Sequence, residues 1–141
     1  MGKKAKVVFD TNVWVSIFME DILYDEFLQV KQDLTVYVSK DITLELSRVL
    51  LYPKIARVLE KNGIHEQDML RVITVDSKLV EPKIKVQVIK EDTEDNKVLE
   101  CALAARADFI VSGDKHLLDL GKFKKTRILT PREFFDNNQK N

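Results

Sequence analysis

Two short phrases, V-V-F-D-T-N-V at residues 7–13 and F-I-V-S-G-D at 109–114, restrict the folds open to this chain more than anything else in it. Each is an apolar run that ends abruptly in a carboxylate. Val7, Val8 and Phe9 lack the polar–apolar alternation of a strand with one wet face, so they suit a parallel strand covered on both sides. Asp10 falls where that strand leaves the sheet, and Asp114 repeats the arrangement near the other end. In open α/β sheets the carboxyl ends of the strands are where ligands bind. Two strands ending in aspartate imply an acidic pocket, and such a pocket usually holds a cation.

The rest of the chain alternates in the way such a sheet requires. Strand-like runs are expected at residues 5–9, 34–38 (L-T-V-Y-V), 108–111 and 127–129. Between them lie helical periods. One covers 21–33; another follows Ser39 as N-cap to about residue 51, with Ile42, Leu46, Val49 and Leu50 on one face. Pro53 opens a helix that K-N-G at 61–63 closes, and a further helix is expected at 66–75. Residues 77–91, with V-Q-V-I and one proline, read as a connection with a short strand. Thr93 or Asp92 then caps a helix to Ala105, and T-P-R-E at 130–133 supplies cap, N1 proline and capping-box acid for a last helix. Strands alternating with helices predict an α/β fold: a three-layer α/β/α sandwich around a mainly parallel sheet. The expected organisation is one domain over residues 1–136, with a polar tail at 137–141.

Composition narrows the function without naming it. Lysine plus arginine (23) balances aspartate plus glutamate (23), so no global basic field points to nucleic acid, and affinity for a phosphodiester would have to come from a local patch or a metal. The single cysteine, Cys101, excludes a multi-thiolate zinc site and reads as a buried helix thiol. No apolar run is long enough for a membrane span and no signal peptide is evident, so the cytoplasm is the expected location.

Four carboxylates stand where folding alone would not choose them. Asp10 and Asp114 follow apolar strands. Glu45 lies three residues after Ile42 and four before Val49, on the inward side of its helix, and Asp95 lies one turn before Val98 and Leu99. Clustered carboxylates on buried faces are expensive unless a divalent cation joins them. Oxygen donors without a His or Cys cluster favour Mg²⁺ or Mn²⁺ over zinc. Such ions assist phosphodiester hydrolysis. Each acid also has an ordinary reading: Asp95 at the positive end of a helix, Glu45 as a boundary residue reaching a lysine, Asp10 and Asp114 as helix caps. Thr11, Asn12 and Ser112 are secondary candidates. Asp92 is a possible outer ligand, Glu94 reads as a helix-start acid and Asp119 as a solvent-facing one, while His116 could reach the pocket but in H-L-L-D reads more readily as a packed helix residue.

At these residues the chain resembles a PIN-domain ribonuclease, the family that includes VapC-type toxins. D-T-N-V at 10–13 is similar to the family's opening motif, T-L-E-L at 43–46 to the segment carrying its glutamate, and E-D-N-K-V-L-E-C-A at 94–102 to its central aspartate helix. A-D-F-I-V-S-G-D-K-H-L-L at 107–118 is similar to its late strand and fourth acid, in the branch described as toxin components of toxin–antitoxin systems. The resemblance implies a five-stranded parallel sheet between helices and Mg²⁺- or Mn²⁺-dependent cleavage of single-stranded RNA. Asp10, Glu45, Asp95 and Asp114 would be the metal-binding catalytic quartet, with Thr11, Asn12 and Ser112 auxiliary. It also implies a homodimer and an antitoxin protein that blocks the acidic pocket.

Two rivals remain at this point. A haloacid-dehalogenase-like phosphatase also begins with a strand-terminal aspartate, although Asn12 stands where that class needs a second acid. A non-catalytic RNA- or protein-binding module of the same fold is the other.

Overall fold

The structure, a computed structural model, describes residues 3–90 and 93–139. The elements in order are β1 (Ala5–Phe9), α1 (Thr11–Met19), α2 (Asp21–Val30), a 3-10 turn (Lys31–Asp33), β2 (Leu34–Ser39), α3 (Lys40–Leu50), α4 (Pro53–Lys61) and α5 (Glu66–Val75). They continue with β3 (Ser77–Val80), α6 (Thr93–Ala105), β4 (Phe109–Val111), α7 (Lys115–Leu120), β5 (Lys122–Phe123), β6 (Thr126–Leu129) and α8 (Pro131–Gln139). Five strands run parallel in the order β3-β2-β1-β4-β6. β5 adds a two-residue antiparallel edge to β6, so among the described residues the sheet has six strands where five were expected. A strand that short leaves no periodic trace in a sequence.

Strand order fixes where a pocket can form. From β1 the chain steps outward to β2 and β3, then returns across the sheet to β4 and on to β6. Right-handed crossovers in opposite directions put their helices on opposite faces. The loops after β1 and β4 therefore part at the boundary between those two strands, the switch point where α/β folds bind ligands. Register locks this edge: Phe9 pairs with Val111, the Asp10 amide donates to the Val111 carbonyl (3.1 Å), and the Ser112 amide to that of Leu129 (2.9 Å).

Both faces of β1 are dry over its last three residues, Val7, Val8 and Phe9. Phe9 is fully buried against the edge of Trp14 (centroids 5.2 Å apart), against Phe27 and Phe134 (6.0 Å each), and stacked on Phe135 at 6.3 Å. Side chains alternate along a strand, so Val8 faces the other way, and it too is fully buried. α6 lies against β1, β2, β3 and β4. Truncating Phe9 to alanine in such a cluster is expected to cost about 3–5 kcal/mol.

Local chemistry follows the sequence at most element ends. The Ser39 hydroxyl accepts from the Ile42 amide at the start of α3. The Thr130–Glu133 capping box closes reciprocally at 3.1 and 2.9 Å. Gly63, at φ +73°, takes the left-handed turn after α4 that a side chain would strain. α8 runs on to Gln139, three residues into the stretch read as tail.

Two expectations change. The short strand of the 77–91 segment lies at its start, in β3, and V-Q-V-I at 86–89 forms no strand. That tetrapeptide instead pins a strap to α6: the Val86 amide donates to Glu100 Oε2 (3.0 Å) and the Ile89 amide to Asn96 Oδ1 (2.9 Å). Asn96 Nδ2 returns a bond to the Ile89 carbonyl at 2.7 Å. The other change is α1, a helix that the periodicity does not announce. Its residues T-N-V-W-V-S-I-F-M are apolar almost all round, so no amphipathic stripe stands out.

Candidate active site

The four acids singled out in the sequence converge. Asp10, Thr11, Asn12, Glu45, Asp95 and Asp114 line one cleft of about 60 Å³ at the β1–β4 boundary. Asp10 arrives as the N-cap of α1, with its Oδ1 accepting from the Val13 amide at 2.9 Å. Asp114 arrives as the N-cap of α7, accepting from the His116 amide at 2.8 Å. Glu45 projects from the middle of α3 and Asp95 from the first turn of α6. The helix-cap readings of Asp10 and Asp114 are therefore true, and compatible with a place in the cleft.

Ser112 lies fully buried beneath these groups and joins two of them. Its hydroxyl donates to Asp10 Oδ2 and accepts from the Asp114 amide at 2.9 Å. One side chain thus sets the spacing between the two strand-terminal aspartates. On the other side the Thr11 hydroxyl lies near enough to Glu45 to ease the charge on that carboxyl.

The electrostatics are those of crowded anions. Burial pushes the Asp10 carboxyl above its ordinary pKa and the nearby Asp114 adds to the effect. The Ser112 hydroxyl and the amides of Val13 and Asn12 oppose it. Glu45 is raised to about 7 by burial, then by a hydrogen bond shared with the Glu94 carboxyl and by the charge of Glu94, with Thr11 and Arg48 pulling the other way.

Several lining residues are undervalued by their sequence context. Glu94, read as a helix-start acid, shares the Glu45 hydrogen bond and, with Asp41, adds two carboxylates to the lining, in which Lys97 is the basic residue. His116, beside the cleft, is exposed and not packed, which favours the alternative that it reaches the pocket. Its Nδ1 stands 3.4 Å from Asp114 Oδ1 and 3.9 Å from Asp95 Oδ2. Donor atoms of Asp95, Asp114 and His116 fall within 4.8 Å of one another, a spacing that suits a shared cation. The signal available for His116 is its position two residues after a strand-terminal aspartate, on the first turn of α7. Asp119 is exposed, Trp14 is core, and Cys101 is a buried thiol raised to about 12 by burial. Asp92 lies outside the described residues.

A family profile of the PIN domain matches residues 6–116, a span that holds all four converging acids. The chain belongs to the PIN-domain family. PIN domains are generally nucleases and typically use divalent metal ions. Among solved structures, a chain from the crystal structure of VapBC2 from Rickettsia felis, bound to a DNA fragment from their promoter, has the same fold. It is 14% identical, with a TM-score of 0.57, and the match covers 87% of this chain and 96% of that one. No curated protein matches the sequence. Membership of the PIN family removes the haloacid-dehalogenase reading. The donor set fits a hard divalent cation: carboxylate oxygens predominate, and their mutual repulsion is relieved by a positive charge. Among the described residues, no helix is long and apolar enough to cross a membrane.

Proposed function

We propose that this protein is a Mg²⁺- or Mn²⁺-dependent ribonuclease that hydrolyses phosphodiester bonds of single-stranded RNA, as a toxin-type or RNA-processing PIN nuclease. The observation that carries this reading is the meeting of Asp10, Glu45, Asp95 and Asp114 in one cleft of a PIN domain. These four carboxylates are then the catalytic, metal-holding quartet, and His116 is a further donor beside Asp95 and Asp114. A bound divalent ion supplies Lewis acidity, easing ionisation of a water and offsetting charge on the phosphate.

The protein's own groups supply position. Asp10 is held by two donors, the Ser112 hydroxyl and the Val13 amide, so its carboxylate does not swing when substrate arrives. Thr11, beside Glu45, favours the charged form of that carboxyl. Asn12 borders the cleft without carrying charge, which suits it to orient a water or a phosphate oxygen. In this reading the protein acts in the cytoplasm as a homodimer and is held in check by an antitoxin protein. The likeness to a chain of the VapBC2 assembly supports the antitoxin.

Cleavage of a labelled single-stranded RNA by wild type and Asp10→Asn, with Mn²⁺, Mg²⁺ or EDTA, tests the proposal. Cutting that needs the metal and is lost in the variant is the expected result. Folded protein that binds RNA equally well with and without metal, and cuts none, would make it a binding module instead.

A further inference from the structure

A larger recess of about 700 Å³ opens beside the acidic cleft and shares Asp41 and Lys97 with it. Its walls are the start of α3, the end of β3, one side of α6 and the strap at residues 81–90. Its volume lies in the range of pockets that enclose small organic ligands, room for about one or two nucleotides.

The character of the lining changes between the two spaces. The cleft is carboxylates with Lys97 at its edge. The recess brings Lys40, Lys83, Lys85 and Lys97 together with Leu79 and Ile84, which are 71% and 62% exposed. Of its acids, Asp41, Glu81 and Glu100, Glu81 faces Lys83 Nζ at 3.6 Å on the surface and Glu100 is committed within the protein. One oxygen accepts from the Val86 amide and the other faces Lys97 Nζ at 3.6 Å. Four lysines against three acids give the recess a small positive excess that the acidic cleft lacks, next to exposed apolar side chains.

The strap wall is firm although it has no strand partner. Val86 and Ile89 are buried, and buried Asn96 and Glu100 hold their amides. Lys83, Ile84 and Lys85 thus ride on a segment already ordered before anything binds, which lowers the entropy lost on association.

We infer that this recess is the path of the single-stranded RNA on one side of the scissile phosphate, with the lysines on backbone phosphates and unpaired bases against Leu79 and Ile84. The inference rests on the ribonuclease reading above and names the part of the substrate it requires: a flanking, unpaired tract. A duplex would keep its bases stacked away from Leu79 and Ile84, whereas a single strand presents them. The lysine excess of the recess favours a polyanion that reaches the neighbouring acidic cleft only through bound metal.

The experiment compares wild type with the double variant Lys83→Ala/Lys85→Ala, both residues being exposed, after matched melting curves show an intact fold. Cleavage of an octanucleotide and a dinucleotide is followed in Mn²⁺. Wild type is expected to prefer the longer RNA in kcat/KM. The variant should lose about tenfold of that preference through KM, with kcat for the octanucleotide held. In the Asp10→Asn background, the salt dependence of octanucleotide binding should flatten by about 1.4 in log–log slope, about 0.7 for each single-strand phosphate that the two lysines no longer neutralise. Wild-type cutting with no length preference, or unchanged KM and slope in the variant, would overturn the recess assignment and leave the nuclease standing. So would tighter binding of an acidic peptide through the same lysines. Wild type that neither cuts nor binds any single-stranded RNA would overturn both.

Discussion

Asp10 and Asp114 occupy equivalent places in two strand–turn–helix units, yet their surroundings differ. Both follow an apolar strand and both N-cap the next helix. Asp10 caps a helix sunk in the core, where Trp14, Ile17 and Phe18 are fully buried, and the residue itself is 4% exposed. Asp114 caps the short α7, most of which faces solvent, and its side chain is 24% exposed. The same motif therefore serves two ends. The inner aspartate is rigid and electrostatically stressed, and the outer one is reachable. Ser112 ties them together.

Replacing each aspartate by asparagine separates shared chemistry from unequal burial. In the proposed reaction both variants should lose cleavage by a factor on the order of 10³, since each removes a carboxylate that holds the metal. Their stabilities should part. An acid whose folded pKa is raised loses stability as pH climbs through that pKa, so Asp10→Asn should melt higher than wild type in EDTA at neutral pH. Asp114→Asn should stay within about 0.5 kcal/mol of wild type. Asp10→Ala sharpens the contrast. It discards the cap to Val13 as well as the charge, and should be less stable than Asp10→Asn by about 1 kcal/mol. Equal melting of the two asparagine variants would show that burial does not distinguish these carboxyls.

Cutting the tie between them is the next largest test. Ser112→Ala leaves Asp10 without its hydroxyl donor and the Asp114 amide without its acceptor. Activity should fall about 10- to 100-fold, with about 1–2 kcal/mol lost in a denaturant titration. A smaller change belongs to the outer aspartate alone. His116→Ala should weaken Mn²⁺ binding, read by calorimetry, more than Mg²⁺ binding, because imidazole favours the softer ion. Identical weakening for both metals would deny His116 a place as donor.

The smallest effect concerns pH and the opposite wall of the cleft. Glu45, raised from 4.5 to about 7, holds its proton in the folded protein over a range where the unfolded chain has released it. Metal-free protein should therefore lose stability as pH rises from about 4.5 to 7, a trend that Glu45→Gln flattens and saturating Mn²⁺ reverses. Thermal melts across that range decide it, and a flat wild-type profile in EDTA would show that burial and Glu94 do not raise the Glu45 carboxyl.

What could be read from the sequence were features whose cause is local. V-V-F and F-I-V have one explanation, burial on both faces, and both are parallel strands. Ser39, Pro53 and Thr130-Pro131-Arg132-Glu133 act on their own backbone within a few residues, and the helices start where they stand. Where the signal was blurred, the cause was equally physical. The uniform apolarity of α1 hides its period. Leu79 is exposed on the outer strand β3, so that strand lacks an apolar face, while the alternation of V-Q-V-I serves a strap that side chains hold.

The amino-acid order alone determined the layered α/β plan, the two strand-terminal aspartates and a candidate set of acids, because apolar period, capping and turn chemistry operate over a handful of residues. Tertiary structure alone decided which groups meet. Glu94 reaches Glu45 because α6 is laid back across the sheet against the side of α3, and His116 faces Asp95 because β4 returns beside β1. Nothing in the spacing of residues 45, 94, 95 and 116 encodes those distances. They arise from long crossovers, whose path is set by packing of the whole chain.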